Sequence, residues 1–208
     1  MNSFPDSIDH LVYGTPDLSA TIADLERLTG IRATPGGSHP GRGTRNYLMA
    51  LGPKTYLELL GPDPDQPHPS APRWMGIDDL KEPKLVRWCA SHPNLQALRD
   101  RSKESLGDVV LGSRRQTDGR LLSWRLTDPI VVAGDGLLPF FIDWGESLHP
   151  ADSAAAGVTL IGLRLTHPQP DRIRKDLERF DLDLPVERAA RVRIIATLAT
   201  PKGVVELK

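Results

Sequence analysis

The sequence of 208 residues predicts an α+β fold in which repeated βαβββ modules form a curled mixed sheet around a cleft. Three observations carry that expectation. Short apolar segments with strand-like alternation are interrupted three times by a helical stretch that opens on a proline, near Pro16, Pro93 and Pro170. Each helical stretch has one strand segment before it and further strand segments after it. Residues 53–59 (PKTYLEL) and 201–207 (PKGVVEL) share Pro, Lys, Glu and Leu at matching points, which sets Glu58 and Glu206 in equivalent places of two modules. A repeat in the residues themselves is evidence for architecture before anything else.

The elements follow in order. Residues 8–13 (IDHLVY) read as a strand, with Ile8, His10 and Val12 on one face because strand side chains alternate. Thr15 and Pro16 then open a helix, Thr as cap and Pro at the first helical position. Leu18, Ile22 and Leu25 form its apolar stripe and Gly30 ends it. A short strand over 31–34 comes before the loop PGGSHPGRGTRN, whose glycines and prolines argue against regular structure. Strands over 46–51 and 55–60 complete the unit. Residues 61–83 are a proline-rich linker whose Trp74 and Met75 should pack on the core, with a short helix over 77–80. The second unit has strands at 85–90, 121–126 and 139–144, an edge at 109–111 and a helix after Pro93. The third has a strand at 158–166, a helix from Pro170, a short strand at 182–186 and final strands at 192–198 and 204–207. The chain thus reads as a single body with modules about 6–61, 84–145 and 157–208 and a linker at 62–83. Being odd in number, the third module extends the barrel, covers one end, or meets a second copy in a homodimer.

Composition bounds the function. Hydrophobic residues make up 39% and charged residues 25%, and 26 Lys+Arg nearly balance 27 Asp+Glu. That balance argues against a basic nucleic-acid face and leaves room for a small anion pocket. No stretch approaches the roughly 18 apolar residues of a membrane span. The first residues show no basic segment followed by an apolar run. The expectation is a cytoplasmic protein that binds a small molecule, with neither nucleic acid nor membrane as partner. Cys89, the lone cysteine, reads as a packed, inert thiol.

His10 and Glu58 are the candidates for chemistry. Each lies mid-strand among apolar neighbours, where a carboxylate is costly unless it is paired, metal-bound or wet. They are donor types for Zn, Fe, Mn, Co or Ni, and equally an acid/base pair. A hydrogen-bonded structural pair is the bland alternative. His39, Arg42 and Arg45, in the glycine-rich loop, are placed as ligand-binding residues bordering the same cleft. His92 and His167 precede prolines at strand-to-helix junctions and read as helix-capping or turn-packing residues. His68 and His149, in proline-flanked loops, need no function.

The stretch IDHLVYGTPDL…TGIRATPGGSHPGRGTRNYLMALGPKTYLELLGPDP resembles the start of a glyoxalase-like domain of the vicinal oxygen chelate superfamily. The later pieces PRWMGIDDL, GSRRQTDGRLLSWRLTDP, LPFFIDWG and GVTLIGLRLTHP fit the same family. The resemblance implies paired modules with metal ligands on their first and last strands, which places His10 and Glu58 as metal ligands. It also implies that the ligand set is broken. Aligning TPDL with HPNL puts Arg87 at the second module's counterpart of His10, and arginine is not a normal ligand. Module three offers Glu206 but has Arg164 near its first-strand position. Two sites follow: a reduced metal site of His10, Glu58, a further ligand and water around an unidentified divalent metal, or a metal-free pocket in which Arg87 or Arg164 pairs with Glu58 and an anionic ligand. By resemblance, the first function is a lyase or isomerase acting on a small oxygen-bearing metabolite, with His10 and Glu58 catalytic. The alternative is a non-catalytic binding or resistance protein with an arginine-lined pocket. A structural or regulatory module is third.

Overall fold

The computed structural model describes residues 7–102, 105–115, 119 and 121–208. The first unit is β1 (Ile8–Gly14), α1 (Leu18–Thr29), β2 (Thr34–His39), β3 (Thr44–Gly52) and β4 (Thr55–Pro62). The second is β5 (Lys84–Ser91), α2 (Leu95–Arg101), β6 (Val109–Arg115), β7 (Leu121–Thr127) and β8 (Phe140–Asp143). The third is β9 (Thr159–His167), α3 (Pro170–Glu178), β10 (Val186–Arg188), β11 (Arg193–Thr200) and β12 (Gly203–Leu207). A 3₁₀ segment, Trp74–Asp79, lies between the first two units, slightly ahead of the helix expected at 77–80.

Units one and two share one eight-stranded sheet, in the order β2-β3-β4-β1-β5-β8-β7-β6. Their first strands, β1 and β5, pair antiparallel at the centre. Each first strand also runs parallel to the last strand of its own unit, β1 with β4 and β5 with β8. A parallel pair needs a long connection, and the helix with its following hairpin supplies it. One face of this curled sheet packs on α1 and α2 through Leu11, Leu57, Leu59, Trp88 and Phe141. The other carries Val12, Leu60, Cys89, Phe140 and Ile142, and with them the polar residues of the site.

Unit three repeats the order of elements with a different pairing. Its sheet is β10-β9-β11-β12, so β9 lies inside, parallel to β10 and antiparallel to β11. It does not continue the large sheet. Leu163, Leu165, Ile194 and Ala196 join the same core as α1 and α2, so the third unit backs the helical side.

The three helices enter in one manner. Asp17 caps α1 by accepting from Ala20 N, and Asn94 caps α2 by accepting from Ala97 N, both within about 3 Å. Two residues before each entry, a side chain accepts the N–H of the residue preceding the helix: Thr15 Oγ1 from Asp17 (3.0 Å), His92 Nδ1 from Asn94 (3.1 Å) and His167 Nδ1 from Gln169 (2.9 Å). Thr15 is therefore the hook before the cap, and α1 starts two residues beyond Pro16. His92 and His167, read as helix-capping or turn-packing residues, supply the same hook before the cap as Thr15 does.

Two strands run past their expected limits. Residues 34–39 form β2, although PGGSH was read as loop, because they pair with β3 from Thr34↔Leu48 to His39↔Thr44. The pairing absorbs its glycines in a register shift between Pro35 and Gly37. On the other rim, β6 continues beyond Leu111 to Arg115, held by β7. Both extensions carry side chains into the cleft.

Candidate functional site

The site forms on the concave face, between β1, β2, β3 and β4 of the first unit and β6, β7 and β8 of the second, with Trp74 and Met75 alongside. His10 and Glu58 come together there. Parallel pairing sets His10 beside Tyr56 and Val12 beside Glu58, and His10 Nε2 lies 3.8 Å from Glu58 Oε2. Both side chains are nearly excluded from solvent, His10 at 4% and Glu58 at 7% exposure. Tyr56 stacks on the His10 ring at 4.7 Å and Phe140 meets it edge-on. Burial holds the Tyr56 phenol well above its ordinary pKa, so the ring serves as a neutral wall.

The orientation of His10 comes from Asp9. Strand alternation would send neighbouring residues to opposite faces, but the register between β1 and β5 shifts between Ile8 and His10. This bulge brings the Asp9 carboxylate to His10. Nδ1–H of His10 donates to Asp9 Oδ1 at 2.7 Å, which turns Nε2 toward Glu58. Asp9 Oδ2 accepts from Trp144 Nε1–H (3.0 Å) and from His149 Nε2–H (3.2 Å). The His149 tautomer is set by Ala151 N–H, which donates to its Nδ1. Burial pushes the Asp9 carboxyl up, but its contacts with His10 and His149, hydrogen bonds first, outweigh it and hold the pKa below the ordinary value. His149, set aside on the sequence, is thus the far anchor of the site.

Glu58 is oriented from its other side. Asn46 Nδ2 donates to Oε1 at 2.6 Å and to His39 Nε2 at 3.3 Å. With Nε2 accepting, Nδ1–H of His39 donates to Thr44 Oγ1 (3.1 Å), which also receives Trp74 Nε1–H (3.1 Å). Burial drives His39 from the ordinary 6.5 down to about 4, against the opposing charge of Glu58. His39 is therefore neutral at pH 7, and its 3.8 Å approach to Glu58 is a polar contact and not an ion pair. Gly36 makes the arrangement fit. A Cβ there would stand 2.2 Å from Asn46 Oδ1 and 2.9 Å from Arg114 Nη1.

The arginines divide differently from expectation. Arg42 lies over the Trp74 ring at 5.2 Å and sits at the outer edge. Arg45 does not border the pocket: it turns to Asp65 (2.9 Å) and Asp63 (3.5 Å). Arg87 does not pair with Glu58. It is buried, but its Nη1 and Nη2 donate to the carbonyls of Pro129 (3.4 Å) and Val131 (3.2 Å), because the 129–131 loop reaches it where Glu58 does not. Arg164 does not reach Glu58 either, pairing with Glu206 at 2.7 Å on the third unit's own sheet. Among the described residues, the arginine that does enter the pocket is Arg114 of β6, 4% exposed. Its Nη1 is buried without a hydrogen-bond partner among them, as is Asn46 Oδ1. An unsatisfied buried polar group costs about 1–3 kcal/mol, more when charged.

Asp9, His10 and Cys89 form a candidate metal-binding cluster, with ligand atoms all within 4.8 Å of one another. Two of those groups are already committed: Asp9 Oδ1 accepts from His10 Nδ1, and burial holds Cys89 as a thiol, its pKa well above the ordinary value. The donors left open are His10 Nε2 and Glu58 Oε2, an imidazole nitrogen and a carboxylate oxygen of the types that suit a divalent cation. The facing strand of unit two presents Phe140 and Ile142 to the pocket, while Asp143 turns to Arg125.

A family model described as a glyoxalase-like domain matches residues 8–180. The chain belongs to the glyoxalase-like domain family. That places it in the vicinal oxygen chelate superfamily, and the paired first and last strands of units one and two are the corresponding fold. Among solved structures, a hypothetical protein from Staphylococcus aureus is 16% identical, with 97% of this chain and 85% of that chain covered at a TM-score of 0.65. Methylmalonyl-CoA epimerase from Mycobacterium tuberculosis is 18% identical over 70% of this chain and 92% of its own, at a TM-score of 0.45. Streptomyces coelicolor methylmalonyl-CoA epimerase in complex with 2-nitronate-propionyl-CoA is 19% identical over 71% and 100%, also at 0.45. No protein of curated function matches the sequence. Among the described residues, no helix of this glyoxalase-like fold is long and apolar enough to cross a membrane.

Proposed function

We propose that this glyoxalase-like protein is a lyase- or isomerase-type enzyme in which Glu58 moves a proton on a small oxygen-bearing metabolite. The observation that supports it most is the placement of Glu58 Oε2. Asn46 occupies Oε1, and Oε2 is left facing His10 Nε2 across 3.8 Å in a pocket walled by aromatic rings. A carboxylate so held takes a proton from a carbon beside a carbonyl, leaving an enolate. Return of that proton by Glu58 to the neighbouring carbon of the enolised substrate gives an isomerase, and departure of a β-leaving group, which Glu58 protonates, gives a lyase. His10 keeps Nε2 toward the reacting oxygen because Asp9 holds its Nδ1–H. With Nε2 protonated from solvent before the substrate enters, Asp9 stabilises the imidazolium and its N–H donates to the enolate oxygen. Asp9 and Asn46 are positioning residues. A divalent cation, held by His10 and Glu58, would polarise the substrate oxygens when bound.

The second reading is a binding protein without turnover. It is favoured by Phe140 and Ile142, apolar residues on the strand facing the His10–Glu58 pair. One experiment separates the two readings. Protein purified without a histidine tag is assayed for metal, and then for exchange of substrate C–H with solvent deuterium over a panel of small 2-oxo and 2-hydroxy compounds. Exchange by the wild type that is lost in Glu58→Gln and His10→Ala supports the enzyme. Exchange that persists in Glu58→Gln, or no exchange by the wild type with or without added divalent metal, overturns it in favour of the binding protein.

A further inference from the structure

Arg114 and Asn46 together leave an unfinished hydrogen-bonding site in the pocket wall. Nη1 of Arg114 is a buried donor with no acceptor, and Oδ1 of Asn46 is a buried acceptor with no donor. The two atoms lie 2.9 Å and 2.2 Å from one point above Gly36, so they are at most about 5 Å apart and one small polar group reaches both. The other buried arginine, Arg87, has both its terminal nitrogens on main-chain carbonyls. Among the described residues Arg87 keeps only Nε without a partner, whereas Arg114 lines the pocket with a terminal nitrogen unpartnered. Its charge is felt by the site, since it opposes protonation of His39 and favours ionisation of Tyr56.

We infer that Arg114, with Asn46 Oδ1 beside it, is the subsite for an anionic oxygen group, and that the ligand of this pocket is a small carboxylate with an apolar body. The carboxylate supplies the acceptor that Arg114 Nη1 lacks, and planar guanidinium matches it in shape. A hydroxyl or N–H on the neighbouring carbon supplies the donor that Asn46 Oδ1 lacks. The apolar body lies against Trp124, Phe140 and Trp144, which line the same pocket. Asn46 links the subsite to the chemistry, because its Nδ2 holds Glu58 while its Oδ1 faces Arg114. Arg114 is then the residue that selects for charge, separate from the group that moves the proton. The inference rests on the pocket being the ligand site proposed above, and not on turnover.

Equilibrium binding tests it without any assay of catalysis. Formate, acetate, 2-hydroxyacetate, propionate and benzoate are each titrated calorimetrically against the neutral amide of the same acid. Wild-type protein should bind at least one carboxylate about tenfold or more tighter than its amide. Arg114→Met should abolish that preference while keeping the weaker amide binding, which shows that the pocket is intact. Arg114→Lys should recover part of the preference. Arg45→Met, which removes an arginine turned away from the pocket toward Asp63 and Asp65, should keep the preference. The readout is binding alone, so a failed proton-transfer reading leaves this result standing. Equal affinity for acid and amide in the wild type, absence of carboxylate binding across the series, or a preference unchanged in Arg114→Met would overturn the inference.

Discussion

In the first unit Glu58 ends a Pro-Lys…Glu-Leu strand at 7% exposure, opposite a histidine. In the third unit Glu206 ends the same motif on an open sheet face, paired with Arg164 at 2.7 Å and with Lys208 at 3.4 Å. Arg164 holds the Glu206 carboxyl below its ordinary pKa by a hydrogen bond and by its charge. The motif is shared, and strand order separates the outcomes. Because β4 lies directly beside β1, Glu58 and His10 face each other from adjacent strands. In the third unit β11 lies between β9 and β12, and only a long arginine spans the gap. The second unit and Trp74 then close over the first site. A strand motif supplies a carboxylate, and the topology around it decides whether that carboxylate becomes a buried pocket group or a surface charge.

The largest effect expected from this contrast is on catalysis. Glu58→Gln should lower turnover of a cognate substrate by roughly 10²–10⁴-fold, while Glu206→Gln leaves kcat/KM unchanged. Equal losses would erase the distinction. Next comes stability. Asp9→Ala strips the shared acceptor from His10, His149 and Trp144 and should cost about 3–5 kcal/mol in urea unfolding. Arg164→Ala, at a surface pair, should cost about 0–1 kcal/mol. Gly36→Ala should cost about 1–3 kcal/mol, because its Cβ must displace Asn46 Oδ1. A fall in kcat alongside the fall in midpoint would show that Asn46 had left Glu58.

The smallest effect is a dependence on pH. His39 titrates near 4 in the folded protein against an ordinary 6.5, so the unfolded chain takes up the proton first. Its contribution to stability is complete above pH 6.5 and is lost progressively as pH falls toward 4. Asp9, with a lowered folded pKa, acts in the same direction, its contribution present above the unfolded carboxylate pKa and lost as pH falls through the folded one. Urea midpoints between pH 7.5 and 4 should decline for the wild type and decline less for His39→Gln. A parallel decline in both would assign the acid sensitivity to other groups.

The module pattern, the helix entries and the meeting of His10 with Glu58 were legible because they depend on local periodicity and on a repeat. What escaped depends on pairing. Asp9 points to the wrong face under strict alternation, and only the bulge opposite β5 turns it inward. His39 lies in a run rich in glycine and proline, which propensity assigns to a loop until β3 captures it as a strand. Arg114 lies past the last apolar residue of β6, where the sequence GSRR gives no alternation to extend. The position of Arg87 against 129–131 rests on a contact across more than forty residues, which no local pattern encodes. Local periodicity was thus readable, while the pairing of strands, within a module and between modules, was not.

Of the four tryptophans, Trp74, Trp124 and Trp144 line the pocket, and Trp88 alone lies fully buried in the main core. The chain's ultraviolet emission is therefore weighted toward its cleft and says comparatively little about the helical side. Trp74 Nε1–H is tied to Thr44, and Trp144 Nε1–H to Asp9, so two of the three indoles are hydrogen-bonded to the groups that orient His39 and His10. A ligand that rearranges either histidine shifts the wavelength of that emission, and the shift can be followed with the unlabelled protein at micromolar concentration.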